Sequence, residues 1–256
     1  MIYKGETFEE IMTESYGYNA AVHRINGDWH FVKNLYSWNY KETEMPVIPF
    51  KIHQVWVGST FPGIYKAYSD SWIKFHPTWE YKLWTDDNIQ EIPTVNWQVY
   101  NRIKNPAQKS DYLRYHILNE YGGLYVDTDF QCLKPFDDLM GLSFFTSVGY
   151  DRYVVLYNGL MASIPHHPIT EKLIEGMAIL RGGHWRTIFN ETGAYYFTKK
   201  FIPVAEFNPK GVVAFPIGFF YSFPNNKRHE DTFENYVKPY SYAVHHWAVS
   251  WAKFPK

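Results

Sequence analysis

Ser110-Asp111-Tyr112-Leu113-Arg114-Tyr115-His116-Ile117-Leu118-Asn119-Glu120-Tyr121-Gly122-Gly123-Leu124-Tyr125-Val126-Asp127-Thr128-Asp129-Phe130 reads as a helix, a glycine stop and a short buried strand ending in two carboxylates. Gly122 and Gly123 supply the left-handed conformation that closes a helix. Leu124-Tyr125-Val126 is a run of strand formers. Side-chain alternation puts Asp127 and Asp129 on one side, roughly 6–7 Å apart at about 3.3 Å per residue. Two carboxylates facing one space repel, and an oxygen-liganded cation such as Mg²⁺ or Mn²⁺ relieves the repulsion.

The helix carries a second signal. At 100° per residue, Ala107, Leu113, Ile117, Leu118 and Tyr121 share one arc. Gln108, Lys109, His116, Asn119 and Glu120 share the other. Ser110, Asp111 and Arg114 fall inside the apolar arc, where charges are seldom buried without partners. Asp111 and Arg114 can satisfy each other at i,i+3. Alternatively they line a polar site against the strand that bears Asp127 and Asp129.

The run Ser110-Asp111-x-x-Arg114, followed by Tyr121-Gly122-Gly123-x-Tyr125-x-Asp127-x-Asp129, resembles the sugar-binding region of the glycosyltransferases that carry a DXD signature. It is most similar to family 32, with its yeast mannosyltransferases and bacterial capsular polysaccharide enzymes. The clostridial glucosylating toxins share the pattern. The resemblance implies an α/β fold of the GT-A type, a Rossmann-like nucleotide-sugar-binding fold whose mixed central sheet is flanked by helices. It also implies an enzyme that moves a sugar from a UDP- or GDP-sugar to an acceptor hydroxyl, on a glycan, with retention at the anomeric carbon.

Site residues carry over on the same footing. The resemblance gives Asp111 and Arg114 the donor sugar, with Arg114 also near the phosphates, and adds Ser110 and Tyr125 to the donor pocket. Asp129, with Asp127 assisting, would hold Mn²⁺ or Mg²⁺, and Asp127 would also touch the ribose. A metal-dependent phosphohydrolase and a non-catalytic carbohydrate-binding protein stay open as alternatives.

Composition narrows the classes. With 25 basic and 26 acidic residues in 256, the chain has no electrostatic footprint for nucleic acid and no polybasic anchor. Cys132, the one cysteine, excludes an internal disulfide and a cysteine-built zinc site. No apolar run reaches the roughly 20 residues of a membrane span, and the polar start Met1-Ile2-Tyr3-Lys4 lacks a signal-peptide pattern, so a cytoplasmic enzyme is expected.

Residues 1–48 show no sustained period and read as an N-terminal extension packed on the main domain, with 49–256 as the catalytic domain. Ile48 to Gly58 reads as a first buried strand. Ligands of α/β sheets lie beyond the carboxyl ends of strands, which puts Trp56 and Gly58 where a nucleotide would sit. By the resemblance, Trp56 stacks on the nucleobase. Tyr65–Phe75 reads as a helix, Glu80–Trp84 as a strand, and Asp86 and Asn88 as turn or cap residues. Pro93–Pro106 reads as connecting structure.

Beyond the acidic pair, strands are expected at Ser143–Val148 and Val154–Ala162, and a helix at Pro168–Leu180 preceded by solvated His166 and His167. Asn158-Gly159 lies within the second strand, where glycine marks a close backbone approach or a turn. The resemblance puts Asn158 near the donor sugar. The loop Arg181–Arg186 could face the acceptor, and Thr192-Gly193-Ala194 resembles a family turn that reads Thr-Gly-Pro. Near the end, Ala243-Val244-His245-His246-Trp247 reads as a strand whose two imidazoles point to opposite sides. Imidazole suits Mn²⁺; the family pattern makes His245 the third metal ligand and places Ser250 and Trp251 on the diphosphate.

Overall fold

The computed structural model describes residues 5–16, 27–40, 45–150, 154–177, 185–230 and 232–248. Ser250, Trp251 and the loop 181–184 lie outside the described residues.

A six-stranded mixed sheet forms the middle layer, in the order β2-β1-β3-β6-β5-β7. The strands are β1 (Lys51–Val55), β2 (Glu80–Trp84), β3 (Gly123–Val126), β5 (Phe144–Tyr150), β6 (Val154–Ser163) and β7 (Val212–Phe215). β1 pairs in parallel with β2 and β3, and β5 with β7, whereas β6 runs antiparallel to both β3 and β5. Every strand except β6 therefore points one way. That reversal puts the middle of β6 beside the end of β3: Val126 pairs with Leu160, and the next residues on, Asp127 and Gly159, are joined by an N–H to carbonyl bond of 2.8 Å. Two short strands, β4 (Phe130–Cys132) and β8 (Ala243–His245), form a separate antiparallel pair at this end.

Helices cover both faces. α3 (Lys66–Phe75) lies along β4, where Trp72 Nε1 donates to the Phe130 carbonyl at 2.9 Å and Ser71 Oγ accepts from Cys132 N–H at 2.9 Å. A helix absent from the sequence reading, α4 (Trp97–Arg102), occupies the supposed connecting stretch and is capped by the Asn96 side chain. α5 (Pro106–Tyr121) begins with the same device, Asn105 capping it and Pro106 in its first turn.

α5 is buried nearly all round. Gln108, His116 and Asn119, placed on a solvated arc by the wheel, are 0%, 1% and 7% exposed. α6 (Pro168–Gly176) and the 94–96 segment supply hydrogen bonds to two of these residues, Thr94 to His116 and Thr170 Oγ1 to Asn119 Oδ1, and Glu191 accepts from Gln108 Nε2 at 2.9 Å. His167, expected in solvent, is buried and caps α6 by accepting from Ile169 N–H at 3.1 Å.

The glycine pair that ends α5 is needed twice over. Gly122 has φ 61° and ψ −155°, a region open in practice to glycine alone, and Gly123 has φ 89°. A methyl group on Gly123 would also sit 2.7 Å from the Lys51 carbonyl on β1.

Among the described residues, the N-terminal stretch holds α1 (Phe8–Tyr16) and α2 (Gly27–Asn39). The Asn39 side chain ties α2 to the β7 edge through Pro209, Gly211 and Val212. α7 (Trp185–Glu191) and α8 (Ala194–Phe207) follow, with α8 against β6. No helix among the described residues is long and apolar enough to cross a membrane.

Candidate active site

The two aspartates do not lie on a strand. β3 stops at Val126, and Asp127-Thr128-Asp129 form a turn closed by a 3.2 Å bond from Phe130 N–H to the Asp127 carbonyl. The turn replaces alternation as the device that brings the carboxylates together. Pairing of β4 with β8 then sets Phe130 opposite His245, and carboxylate oxygens of Asp127 and Asp129 and a ring nitrogen of His245 all fall within 4.8 Å of one another.

Asp129 is held from three directions. Its Oδ1 accepts from His245 Nε2 at 3.1 Å, its Oδ2 from Ala248 N–H at 2.9 Å, and its carbonyl from His246 N–H at 2.9 Å. Burial works to raise this carboxyl, but the adjacent imidazole and these hydrogen bonds outweigh it and hold it below the usual carboxylate range. Asp127 goes the other way. Burial raises it, Arg114 opposes the rise, and the neighbouring Asp129 adds to it. His246 faces away from the pair, stacked on Tyr68 at 4.4 Å and bonded to Gln131.

Arg114 joins this turn to α5. It is 5% exposed, and its Nη2 lies 3.1 Å from Asp111 Oδ1 and 3.1 Å from Asp127 Oδ1. Nη1 donates to the Asn158 carbonyl at 2.8 Å, Nη2 donates to Ser110 Oγ at 3.2 Å, and the guanidinium lies over the Tyr125 ring at 4.6 Å. Tyr125 OH donates to Asp127 Oδ1 at 2.7 Å. The i,i+3 pair and the polar site are thus one arrangement, because Arg114 serves both carboxylates. Burial works against the charged guanidinium, yet the Asp127 carboxylate, Tyr125 and Asp111 hold its proton more firmly than usual. Burial raises Asp111 despite Arg114 and hydrogen bonds from Thr192 and Asn158.

Several side chains at the site carry little mark in the sequence beyond the resemblance of Thr192-Gly193-Ala194 to a family turn. Thr192 Oγ1 donates to Asp111 Oδ2 at 3.0 Å, and Tyr115 OH donates to the Thr192 carbonyl at 2.6 Å. Gln54, fully buried on β1, donates to the Asp127 carbonyl at 3.3 Å and accepts from Ser69 and Tyr81. A glutamine within a strand that reads as buried is the available clue. Gly159 lets the carboxylate approach: a methyl group there would stand 2.7 Å from Asp127 Oδ2.

Trp56 and Gly58 form a neighbouring cluster at the ends of β1 and β2. Trp56 packs against Phe61 and Tyr65 at 5.8 and 5.3 Å, and its Nε1 donates to Ser59. Gly58, at φ 87°, donates its N–H to Asp86 Oδ2 at 2.6 Å, so Asp86 ties the loop after β1 to the loop after β2. Asn88 braces its own turn instead, accepting from Thr85 N–H and donating to the Leu83 carbonyl.

Comparison with known proteins places this geometry in a family. Residues 63–145 match the glycosyltransferase sugar-binding region containing the DXD motif. An uncharacterised glycosyltransferase of Acanthamoeba polyphaga mimivirus is 30% identical over 172 residues, 64% of this chain and 68% of that protein. Inositol phosphoceramide mannosyltransferase 2 of Schizosaccharomyces pombe is 34% identical over 155 residues, and the chain spans 44% of its length. In fold, the PaToxG glycosyltransferase superimposes with a TM-score of 0.51 at 17% identity, over 76% of this chain and 82% of that one. The chain belongs to the DXD glycosyltransferases and has a fold of their GT-A type.

Proposed function

We propose that this glycosyltransferase moves a sugar from a nucleotide-sugar to an acceptor hydroxyl in a metal-dependent reaction that retains anomeric configuration. The observation that carries the reading is the convergence of Asp127, Asp129 and His245 within 4.8 Å beside the buried Asp111–Arg114 pair. Two carboxylates and an imidazole form a donor set suited to Mn²⁺ or Mg²⁺. When bound, the cation would neutralise charge developing on the leaving diphosphate.

The chain's own groups supply the rest. Arg114 offers a buried, permanently charged fork at the border between the donor sugar and its phosphates. Asp111 and Asn158 offer polar atoms to the sugar, with Ser110 and Tyr125 fixing Arg114 and Asp127. Trp56 and Gly58 are proposed for the nucleoside, and Ser250 and Trp251 for the diphosphate. Asp111, Asp127 and Asp129 are all engaged by protein donors, which favours front-side displacement over a covalent glycosyl-enzyme. Residues 1–48 are proposed as an N-terminal extension packed on the catalytic domain of 49–256, and a cytoplasmic site of action stays part of the reading.

The test is donor hydrolysis without acceptor. Relatives are named mannosyltransferases, so the panel opens with GDP-mannose and continues through UDP-hexoses and UDP-N-acetylhexosamines, each with Mn²⁺, with Mg²⁺ and with chelator. Metal-dependent nucleotide release that disappears in Asp129→Ala supports the proposal. Phosphate release from simple monoesters, with every sugar nucleotide inert, sinks it.

A further inference from the structure

Asp111 has little spare capacity. An ionised carboxylate offers about four acceptor positions. Oδ1 receives Asn158 Nδ2 at 2.9 Å and Arg114 Nη2 at 3.1 Å, and Oδ2 receives Thr192 Oγ1 at 3.0 Å. About one position remains, on Oδ2, and the Thr192 hydroxyl decides where it points.

Thr192 is built to hold that direction. It is fully buried, its N–H donates to the Ile188 carbonyl at 2.9 Å, and its carbonyl accepts from Tyr115 OH at 2.6 Å. The corner between α7 and α8 is fastened to α5 at successive turns: Glu191 receives Gln108 Nε2 at 2.9 Å, Thr192 reaches Asp111, and Tyr115 reaches back to Thr192. Positions 108, 111 and 115 share one helix face. Gly193 sits tightly in the same corner, where a methyl group would lie 3.0 Å from Phe189 Cα and 3.6 Å from Asp111 Oδ2.

We propose that Thr192 is a positioning residue for the donor, orienting Asp111 so that its carboxylate accepts one sugar hydroxyl through Oδ2. The inference rests on the donor reading above. It assigns selection of the sugar to a residue of the α7–α8 corner that acts only through Asp111. The proposed nucleoside contacts, Trp56 and Gly58, follow β1 and lie outside the Thr192 corner.

The experiment compares Thr192→Val, which keeps the shape and removes the hydroxyl, with Thr192→Ser, which keeps the hydroxyl. Donor hydrolysis gives kcat and KM on the best donor of the panel, and tryptophan fluorescence gives the affinity for UDP or GDP alone. Thr192→Val should lose about 10- to 100-fold in kcat/KM, the scale of a misdirected reactive group. Nucleoside diphosphate affinity should stay within about twofold, and Thr192→Ser should recover most of the loss. In an Asp111→Asn background, Thr192→Val should add almost nothing, as for residues acting as one unit. Full activity in Thr192→Val, or an undiminished effect in the Asp111→Asn background, overturns the inference. If Thr192→Val does not fold, Thr192→Ala against Thr192→Ser gives the same contrast. A folded wild type that neither binds UDP or GDP nor turns over any donor removes the donor reading itself, and the inference with it.

Discussion

Arg114 Nη2 stands 3.1 Å from Asp127 Oδ1, a single ion pair that bridges the central helix α5 and the acidic turn after β3. Arg114 is buried and the Asp127 side chain is 29% exposed, so the pair matters less for the attraction it adds than for the buried charge its loss leaves behind. Arg114→Gln strands two carboxylates, Asp111 and Asp127, beside each other. A loss of about 3–5 kcal/mol in urea unfolding is expected. Arg114→Lys keeps a charge but not the fork, and should fold while losing donor turnover. Wild-type stability in Arg114→Gln would refute this account.

Gly159 tests how closely Asp127 must be approached. The methyl group of Gly159→Ala would lie 2.7 Å from Asp127 Oδ2 and 3.0 Å from Tyr221 OH. Overpacking of this kind costs about 1–3 kcal/mol. Displacement of the carboxylate should also lower donor hydrolysis by about 100-fold. A thermal melt and an initial-rate assay on the same preparation separate the two effects, and unchanged rates would show that Asp127 tolerates the shift.

Cation binding should stabilise the fold through the same residues. Mn²⁺ at 100 times its dissociation constant adds about 2.7 kcal/mol. Calorimetric melts should therefore rise with Mn²⁺ and fall back with chelator. The rise should vanish in Asp129→Ala and shrink in His245→Ala. An equal rise in both variants would place the ion elsewhere.

His53, His116 and His167 make the fold acid-sensitive. Burial pushes each imidazole down to about 4 from an ordinary value near 6.5. The unfolded chain takes up these protons first. Stability is therefore intact above pH 6.5 and is lost progressively as pH falls from 6.5 to 4, by up to about 1.4 kcal/mol per unit for each histidine. Asp111 and Asp127, both shifted upward by desolvation, titrate with the opposite sign, so one substitution is used to isolate one group. His167→Asn keeps an acceptor for the Ile169 N–H and cannot titrate. Its urea midpoint should depend less steeply on pH between 6.5 and 4; an unchanged slope would refute the assignment.

Local chemistry made some of this legible in the chain alone. Gly122-Gly123 announced the end of α5 because few other residues reach φ 61° or 89°. Asp111 and Arg114 drew notice because charges on an apolar arc need partners, and the strand formers before Asp127 fit a buried β3. What the sequence could not decide was where partners come from across long separations. Asp127 and Asp129 meet through a turn rather than strand alternation, and the pairing of β4 with β8 brings in His245 from 116 residues away. His116 and Asn119 are buried because α6 and the 94–96 segment cover a face that periodicity assigns to water. Thr192 lies 81 residues from Asp111, and no local pattern marks a hydroxyl for a distant carboxylate. Periodicity records which side of an element avoids water; the packing of elements against one another decides which polar atoms face each other, and at this site that packing sets the chemistry.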